Sequence, residues 1–420
     1  MELEANATRS SGALAPTREQ PRPVEMYGLL RCLLLCLLLP ATACNTAPPA
    51  PKSVQLEVAD VLGGRDTAGF ERALQPRDFD FPLDHGAHPS FASEWWYFTG
   101  NLASAEGRRF GYQLTFFRIS LAPPGSIVPR PSAWAGNQVW MAHFALTDIA
   151  GERFFAFDRF QRGALGLAGA QASPWRVWLD DWSLEQVGET PFPLRLRARQ
   201  RTDAGGDSGD HVAIDLTLDP LKPMVLQGES GLSRKGPTPG NASYYYSYTR
   251  LQTNGVVQAG GREHRVAGTS WLDREWGTSA LEEGQVGWDW FALQLSDGTE
   301  LMYYQLREAD GNAAPQSTGV LVLANGDYTA LPPGSAVLEV EGEWESPLDG
   351  IAYPSGWTLS IPGRDIVLHI EPVLDAQELD VAFRYWEGAV VVRGTGQGGR
   401  SVDGRGYVEL TGYAGGGLHP

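Results

Sequence analysis

Cysteine is confined to positions 32, 36 and 44, and residues 45–420 contain none. That excludes an internal disulfide, a thiolate nucleophile and a cysteine-based metal site from the body of the chain. Lysine is nearly as scarce, occurring only at 52, 222 and 235, and 33 basic residues face 50 acidic ones. A formal net charge of −17 repels phosphate backbones and anionic headgroups, which argues against nucleic acid as a partner. No Gly-x-Ser-x-Gly elbow and no P-loop is present. The run GTGQGG at 394–399 lacks the following helix that a dinucleotide fingerprint needs; it is predicted to be a hairpin loop between Val390–Arg393 and Gly406–Leu410. No cofactor is implied, and no long segment repeats its apolar residues every 3.6 positions, so a helical architecture is unsupported.

What the chain has in quantity is glycine, proline and tryptophan, at 50, 29 and 14 residues, within 42 % apolar content. A length of 420 residues suits two or three domains of about 150 residues. Runs of β-formers recur at short spacing, among them 95–102, 110–119, 139–148, 244–251, 288–295, 300–306, 366–370 and 406–411. Turn pairs such as Glu106-Gly107, Asn254-Gly255, Asp297-Gly298 and Asn325-Gly326 fall between them. Many short strands with regular turns predict an all-β chain of barrels or sandwiches. Residues 203–210, DAGGDSGD, are predicted to form a polar hairpin tip or surface loop.

Near the N-terminus, residues 29–39 read LLRCLLLCLLL. The run is too short for a bilayer, which needs about 20 residues, but fits the apolar region of an export signal. Ala-Thr-Ala then precedes Cys44, as small residues precede the lipidated cysteine of bacterial lipoproteins. Residues 1–44 are therefore expected to be a lipoprotein signal, with Met26 as well as Met1 a candidate start. A proline-rich linker is expected at 45–75. Asn45 is not the Asp associated with inner-membrane retention, so the expectation is an envelope lipoprotein on the outer membrane facing the periplasm.

The body repeats itself. WWYFTGNL at 95–102 lies over WDWFALQL at 288–295, and FGYQL at 110–114 over LMYYQ at 301–305. Gly268, Trp271 and Asp273 have the spacing of Gly404, Tyr407 and Glu409. Two related β-domains are predicted, at 76–278 and 279–415.

PLDHGAH at 82–88, EWWYFTGNL at 94–102, WLDREWG at 271–277, GWDWFAL at 287–293 and GYVELTGY at 406–413 together resemble the AttH-like / carotenoid 1,2-hydratase family. The resemblance implies two lipocalin-like β-barrel domains in tandem. It implies hydration of an isolated double bond, or the activity of the secreted members of the family, which are called predicted hydrolases. Some of those accompany ABC-transport components. With an export signal, the chain looks like the secreted branch.

In a strand, Trp271, Asp273 and Glu275 project to one face. A carboxyl beside Trp271 and Trp276 in an apolar lumen is poorly solvated, so Asp273 is expected to hold its proton near neutral pH. Its alternative is a salt bridge to Arg274 or Arg250. The family resemblance implies that Asp273 is the catalytic acid. Glu94 is a candidate to orient water or share that proton, or else a barrel-closing ion pair. His143 is a candidate lumen-facing base, or a satisfied core histidine. Trp95, Trp96, Tyr97, Trp271, Trp276, Trp288, Trp290 and Tyr246 are expected to line an apolar ligand site. Asp289 reads as structural. His85 and His88 with Asp84 have metal-ligand spacing, but loop histidines commonly pack or cap, and no metal is assigned. The expected partner is a hydrophobic terpenoid- or lipid-like molecule; the rival function is a non-catalytic carrier serving a transporter.

Overall fold

The computed structural model describes residues 67–126, 132, 134–202, 211–278 and 281–413. The signal segment, Cys44, most of the linker expected at 45–75, and the loop 203–210 lie outside them. Among the described residues there is no α-helix, only short 3-10 turns such as Leu83–His85. Thirteen strands between Ser93 and Gly277 form one sheet and ten between Gln285 and Leu410 form a second, and each curls into a barrel-like unit.

The two sheets share one plan. In the first, the opening strand Ser93–Ser104 pairs with Arg109–Ser120 on one side and with the closing strand Arg262–Gly277 on the other. In the second, Gln285–Leu295 pairs with Glu300–Glu308 and with the closing strand Arg400–Leu410. The register repeats as well. Tyr97 lies across from Asp273, and Trp290, its counterpart, lies across from Glu409. Trp95–Leu102 and Trp288–Leu295 thus occupy equivalent places, as the sequence repeat predicts.

Strand alternation sends successive side chains to opposite faces. Trp96, Phe98, Leu114, Phe116, Trp140 and Phe144 fill the interior of the first sheet. Phe291, Leu293, Trp357, Leu368, Val392 and Val408 fill the second. The outer faces are also apolar. Tyr97, Tyr245 and Trp271 from one sheet meet Trp290, Met302, Tyr304 and Tyr407 from the other in a third cluster. Both faces of the opening and closing strands are therefore buried, and the sheets join along a seam.

Polar groups pin the seam: Asn101 donates to the Gly406 carbonyl at 3.1 Å and Thr147 to Gln377 at 2.8 Å. Glu300 takes both Lys222 at 2.7 Å and Arg250 at 2.5 Å. At Gly111 a Cβ would lie 2.6 Å from Ala389 and 2.7 Å from the Tyr407 hydroxyl, so a side chain there would hold the sheets apart.

The run 394–399 belongs to a hairpin, as expected, but the loop is shorter: Gly394, Thr395 and Gly396 pair with Val402, Ser401 and Arg400, and only 397–399 connect the strands Tyr385–Gly396 and Arg400–Leu410. Asn254-Gly255 is not a turn but lies inside the strand Ala242–Ala259. A Cβ on Gly255 would stand 2.1 Å from the Asp215 carbonyl oxygen, so the glycine serves the close approach of a neighbouring strand.

Candidate active site at the seam

A cavity of about 90 Å³ opens between the sheets, room for several water molecules. Trp95, Tyr97, Phe117, Tyr245 and Asp273 line it from the first sheet, and Trp288, Trp290, Tyr304, Tyr385 and Glu409 from the second. Lys235, Ser243 and Glu275 form a polar end.

Asp273 is 3 % exposed. Its Oδ2 accepts from the Tyr245 hydroxyl at 2.5 Å, and its Oδ1 accepts from Ser247 at 2.5 Å and from the Trp271 indole at 2.6 Å. All three donors are neutral. Arg274 pairs instead with Glu94, and Arg250 with Glu300, so no cation is bonded to Asp273; Lys235, on the same cavity, is ion-paired to Glu275. Burial pushes its carboxyl up to about 7, against the pull of the three hydrogen bonds. The location differs from expectation: Asp273 faces the cavity between the sheets rather than a barrel lumen, because the lumen face of its strand belongs to Leu272, Arg274 and Trp276.

Two more carboxyls, Glu275 and Glu409, line the same space, and a third, Glu387, lies directly across the ladder from Glu409. Glu275 is neutralised by Lys235 at 3.0 Å and accepts from Ser243. Lys235, 4.5 Å above the Tyr304 ring, keeps its proton: burial opposes the charge, but Glu275, Tyr304 and Asp273 together outweigh it. Glu409 accepts from the Trp288 indole at 3.1 Å; burial, with Asp273 and Glu275 nearby, raises its carboxyl well above the usual range. Glu387 is 1 % exposed and accepts from the Tyr97 hydroxyl at 2.6 Å. Its Oε2 has no partner, and burial followed by the charge of Glu409 raises it too.

His143 sits behind the cavity. Its Nδ1 is 2.8 Å from the Tyr385 hydroxyl, its Nε2 is unpartnered, and burial lowers its pKa to about 3. It is on the seam face, not the lumen face, and reaches the cavity only through Tyr385.

Glu94 is on the opposite side of the sheet from Asp273. Fully buried, it binds Arg118 and Arg274 and accepts the His88 backbone N–H at 3.0 Å. Burial alone would raise its carboxyl; the two guanidiniums outweigh that and hold it well below the usual range. It is the ion-pair reading of Glu94, not the shared proton, that the geometry matches.

Four of the expected ligand aromatics, Trp95, Tyr97, Trp288 and Trp290, line the cavity. Trp271 stands just behind, edge-on to Trp290 at 6.3 Å. The other three face inward. Trp96 stacks on Trp140 at 5.8 Å beneath Arg274, Trp276 stacks on His88 at 3.9 Å, and Tyr246 bonds His85 at 2.7 Å. Alternation alone separates them from the cavity group. His88 bridges Asp84 at 2.9 Å and Glu94 at 3.2 Å, and Asp84 also takes Arg77 at 2.6 Å. Among the described residues no group of three or more His, Cys, Asp or Glu is arranged to hold a metal. Asp289 pairs with Arg307 and with the Tyr413 hydroxyl at 3.0 Å.

Tyr245, Ser247, Lys235, Tyr385 and Glu387 were not foreseen. Glu387, in the stretch Tyr385-Trp386-Glu387, carries the same signal as Glu94, an acid next to a tryptophan.

The sequence profile of the AttH-like family matches residues 72–413. The chain belongs to the AttH-like family. A protein of Nitrosomonas europaea described as an AttH superposes with a TM-score of 0.71 at 35 % identity, over 82 % of this chain and 99 % of that one. The kievitone hydratase of Nectria haematococca shares the AttH-like fold, with a TM-score of 0.60 at 16 % identity over 82 % of this chain and 97 % of that one. In sequence, this AttH-like chain is 25 % identical over 208 residues to the kievitone hydratase of Fusarium solani subsp. phaseoli, 48 % of this chain and 57 % of that enzyme. The match thus spans little more than half of the hydratase. The dehydratase asqC of Emericella nidulans is 23 % identical over 259 residues, 56 % of this chain and 73 % of that one.

Proposed function

We propose that the chain is a hydratase- or dehydratase-type lyase acting on an apolar, terpenoid- or lipid-like molecule whose reacting end enters the seam cavity, with Asp273 as its proton donor. The observation that carries this reading is the setting of Asp273: a buried carboxyl facing a cavity, held by three neutral donors and by no cation. An acid poised near neutrality is present in both protonation states at working pH, which serves proton transfer in either direction. The hydratase and dehydratase among the relatives agree with that chemistry.

In the forward direction the Asp273 proton bonds to the less substituted carbon of an isolated double bond, using the π electron pair. The tertiary cation that results is stabilised by the faces of surrounding aromatic rings such as Trp95, Trp288 and Trp290. Water bonds to the cation through oxygen and releases one proton, so the product gains one water in all. Dehydration is the same path reversed. The aromatic walls would serve a non-catalytic carrier equally well; the uncharged acid is what a carrier has no use for.

The test incubates the full chain with lycopene in detergent micelles made with isotopically labelled water. Incorporation of labelled hydroxyl supports the reading. Quenching of tryptophan fluorescence by lycopene with no hydroxylated product would replace it with the carrier function.

We further propose that Cys44 is lipidated and holds the chain in the cell envelope. The apolar run at 29–39 and the small residues before Cys44 support this anchor.

A further inference from the structure

We propose that Glu409 is the second catalytic carboxyl of the seam cavity: it shares one proton with Asp273 and removes the proton from the attacking water. The proposal rests on the lyase reading above and deepens it.

Three observations converge on Glu409. The first is position. It lies across from Trp290 on the closing strand of the second sheet, as Asp273 lies across from Tyr97 on that of the first. The two closing strands, equivalent in their own sheets, thus bring one acid each to a single cavity, and both residues line it.

The second is pairing. Neither residue forms a salt bridge. Glu409 spends one oxygen on the Trp288 indole at 3.1 Å, and its other oxygen accepts no hydrogen bond from the described residues. A base must keep a lone pair for its proton, and this carboxylate has one. The other acids nearby are engaged differently. Glu275 is ion-paired to Lys235 at 3.0 Å. Glu387 is not among the cavity's lining residues and holds the Tyr97 hydroxyl at 2.6 Å.

The third is electrostatic. Burial is the largest cause raising Glu409, followed among the raising causes by the charges of Asp273 and Glu275; Glu387, directly across the ladder from Glu409, is raised by burial and by the charge of Glu409 in turn. Two carboxylates in one poorly solvated site cannot both ionise readily, and the state with one proton between them is favoured.

The reacting form has Asp273 protonated and Glu409 ionised; burial raises Glu409 further than Asp273, so this is the less populated of the two one-proton states. The proton of Asp273 forms the new C–H bond as the π bond breaks. The oxygen of water then forms the C–O bond, and the proton this oxygen sheds passes to Glu409. Transfer of that proton from Glu409 to Asp273 through a cavity water restores the starting state, and the net change is addition of one water.

Two measurements test this on the full chain. Carbon-13 NMR of labelled Asp and Glu carboxyls follows titration of Asp273 and Glu409 in the wild type, Asp273→Asn and Glu409→Gln. Each substitution is expected to move the remaining carboxyl to a lower midpoint; midpoints indifferent to the partner overturn the shared proton. Lycopene hydration is then followed against pH. The wild type should give a bell, its acidic limb set by ionisation of the base. Glu409→Gln should lower the rate about 10²–10⁴-fold and abolish the acidic limb, while Glu387→Gln should retain it. A Glu409→Gln chain that keeps its rate, or keeps that limb, overturns the base role. A wild type that leaves lycopene unchanged removes the lyase reading and the base role together, whereas coupled midpoints in that case still establish the shared proton.

Discussion

His143 and Tyr385 are joined across the seam by a 2.8 Å hydrogen bond, with the histidine in one sheet and the tyrosine in the other. The imidazole is neutral because burial lowers its pKa to about 3, and His85, stacked on Trp175 at 3.9 Å, is lowered to about 3 as well. Both rings would take up protons near 6.5 once unfolded. Between pH 6.5 and 3 the unfolded chain therefore binds more protons than the folded one, and stability falls as pH falls through that window. Each ring contributes about 1.4 kcal/mol per pH unit. Thermal melts from pH 7 to 4 should show the decline, and His143→Phe should make it shallower. An unchanged slope in the variant would show that His143 is not held neutral.

Asp273 titrates in the opposite sense. Its ordinary value is 3.8 and its folded value about 7, so between these the folded state holds the extra proton. Stability from this group is present below 3.8 and is lost as pH rises to about 7, at roughly 1.4 kcal/mol per pH unit. Asparagine does not titrate. The melt of Asp273→Asn should gain on the wild type at pH 8 relative to pH 4, while hydration falls about 10²–10⁴-fold. Loss of stability at pH 8 with turnover intact would remove the acid assignment. Tyr245→Phe withdraws a donor to the ionised form, so the alkaline limb of the rate profile should move to higher pH.

Glu94→Gln should behave as a stability mutation. The glutamate is fully buried between Arg118 and Arg274, and its loss strands two guanidiniums. Breaking such a pair costs about 3–5 kcal/mol. Denaturant melts should register that cost, while the surviving folded protein keeps the pH profile of the wild type. A lost pH limb would return Glu94 to the chemistry.

Cys44→Ser should move the chain from the membrane to the soluble envelope fraction, since the acyl chains that would hold it are no longer attached. Fractionation with immunodetection reads the outcome; persistent membrane association of the variant would remove the lipid anchor.

The repeat and the β-class were legible because period-2 alternation and turn residues are local signals. The shared face of Trp271, Asp273 and Glu275 was legible for the same reason. Which face looks into a barrel was not, because Trp95 and Trp96 are equally apolar and both sides of their strand are covered, one by the first sheet's own core and one by the second sheet. Glu94 was grouped with Asp273 by its aromatic neighbours; only the register that sets Tyr97, not Glu94, across from Asp273 separates them. Tyr245 and Ser247 reach Asp273 through the pairing of Ala242–Ala259 with Arg262–Gly277, a contact between strands that no single stretch of sequence announces. Glu409 was marked by the repeat, yet its meeting with Asp273 depends on how two curled sheets dock.

In each half of the chain the first strand of the sheet closes against the last. A module whose ends lie side by side is complete after one copy of the gene segment, and a single copy could have worked as a symmetric dimer with the same acid supplied twice. Fusion frees the copies to diverge. Asp273 now holds three donors and Glu409 one, so the hydrogen bonds that favour an ionised carboxyl are no longer shared equally between the two positions.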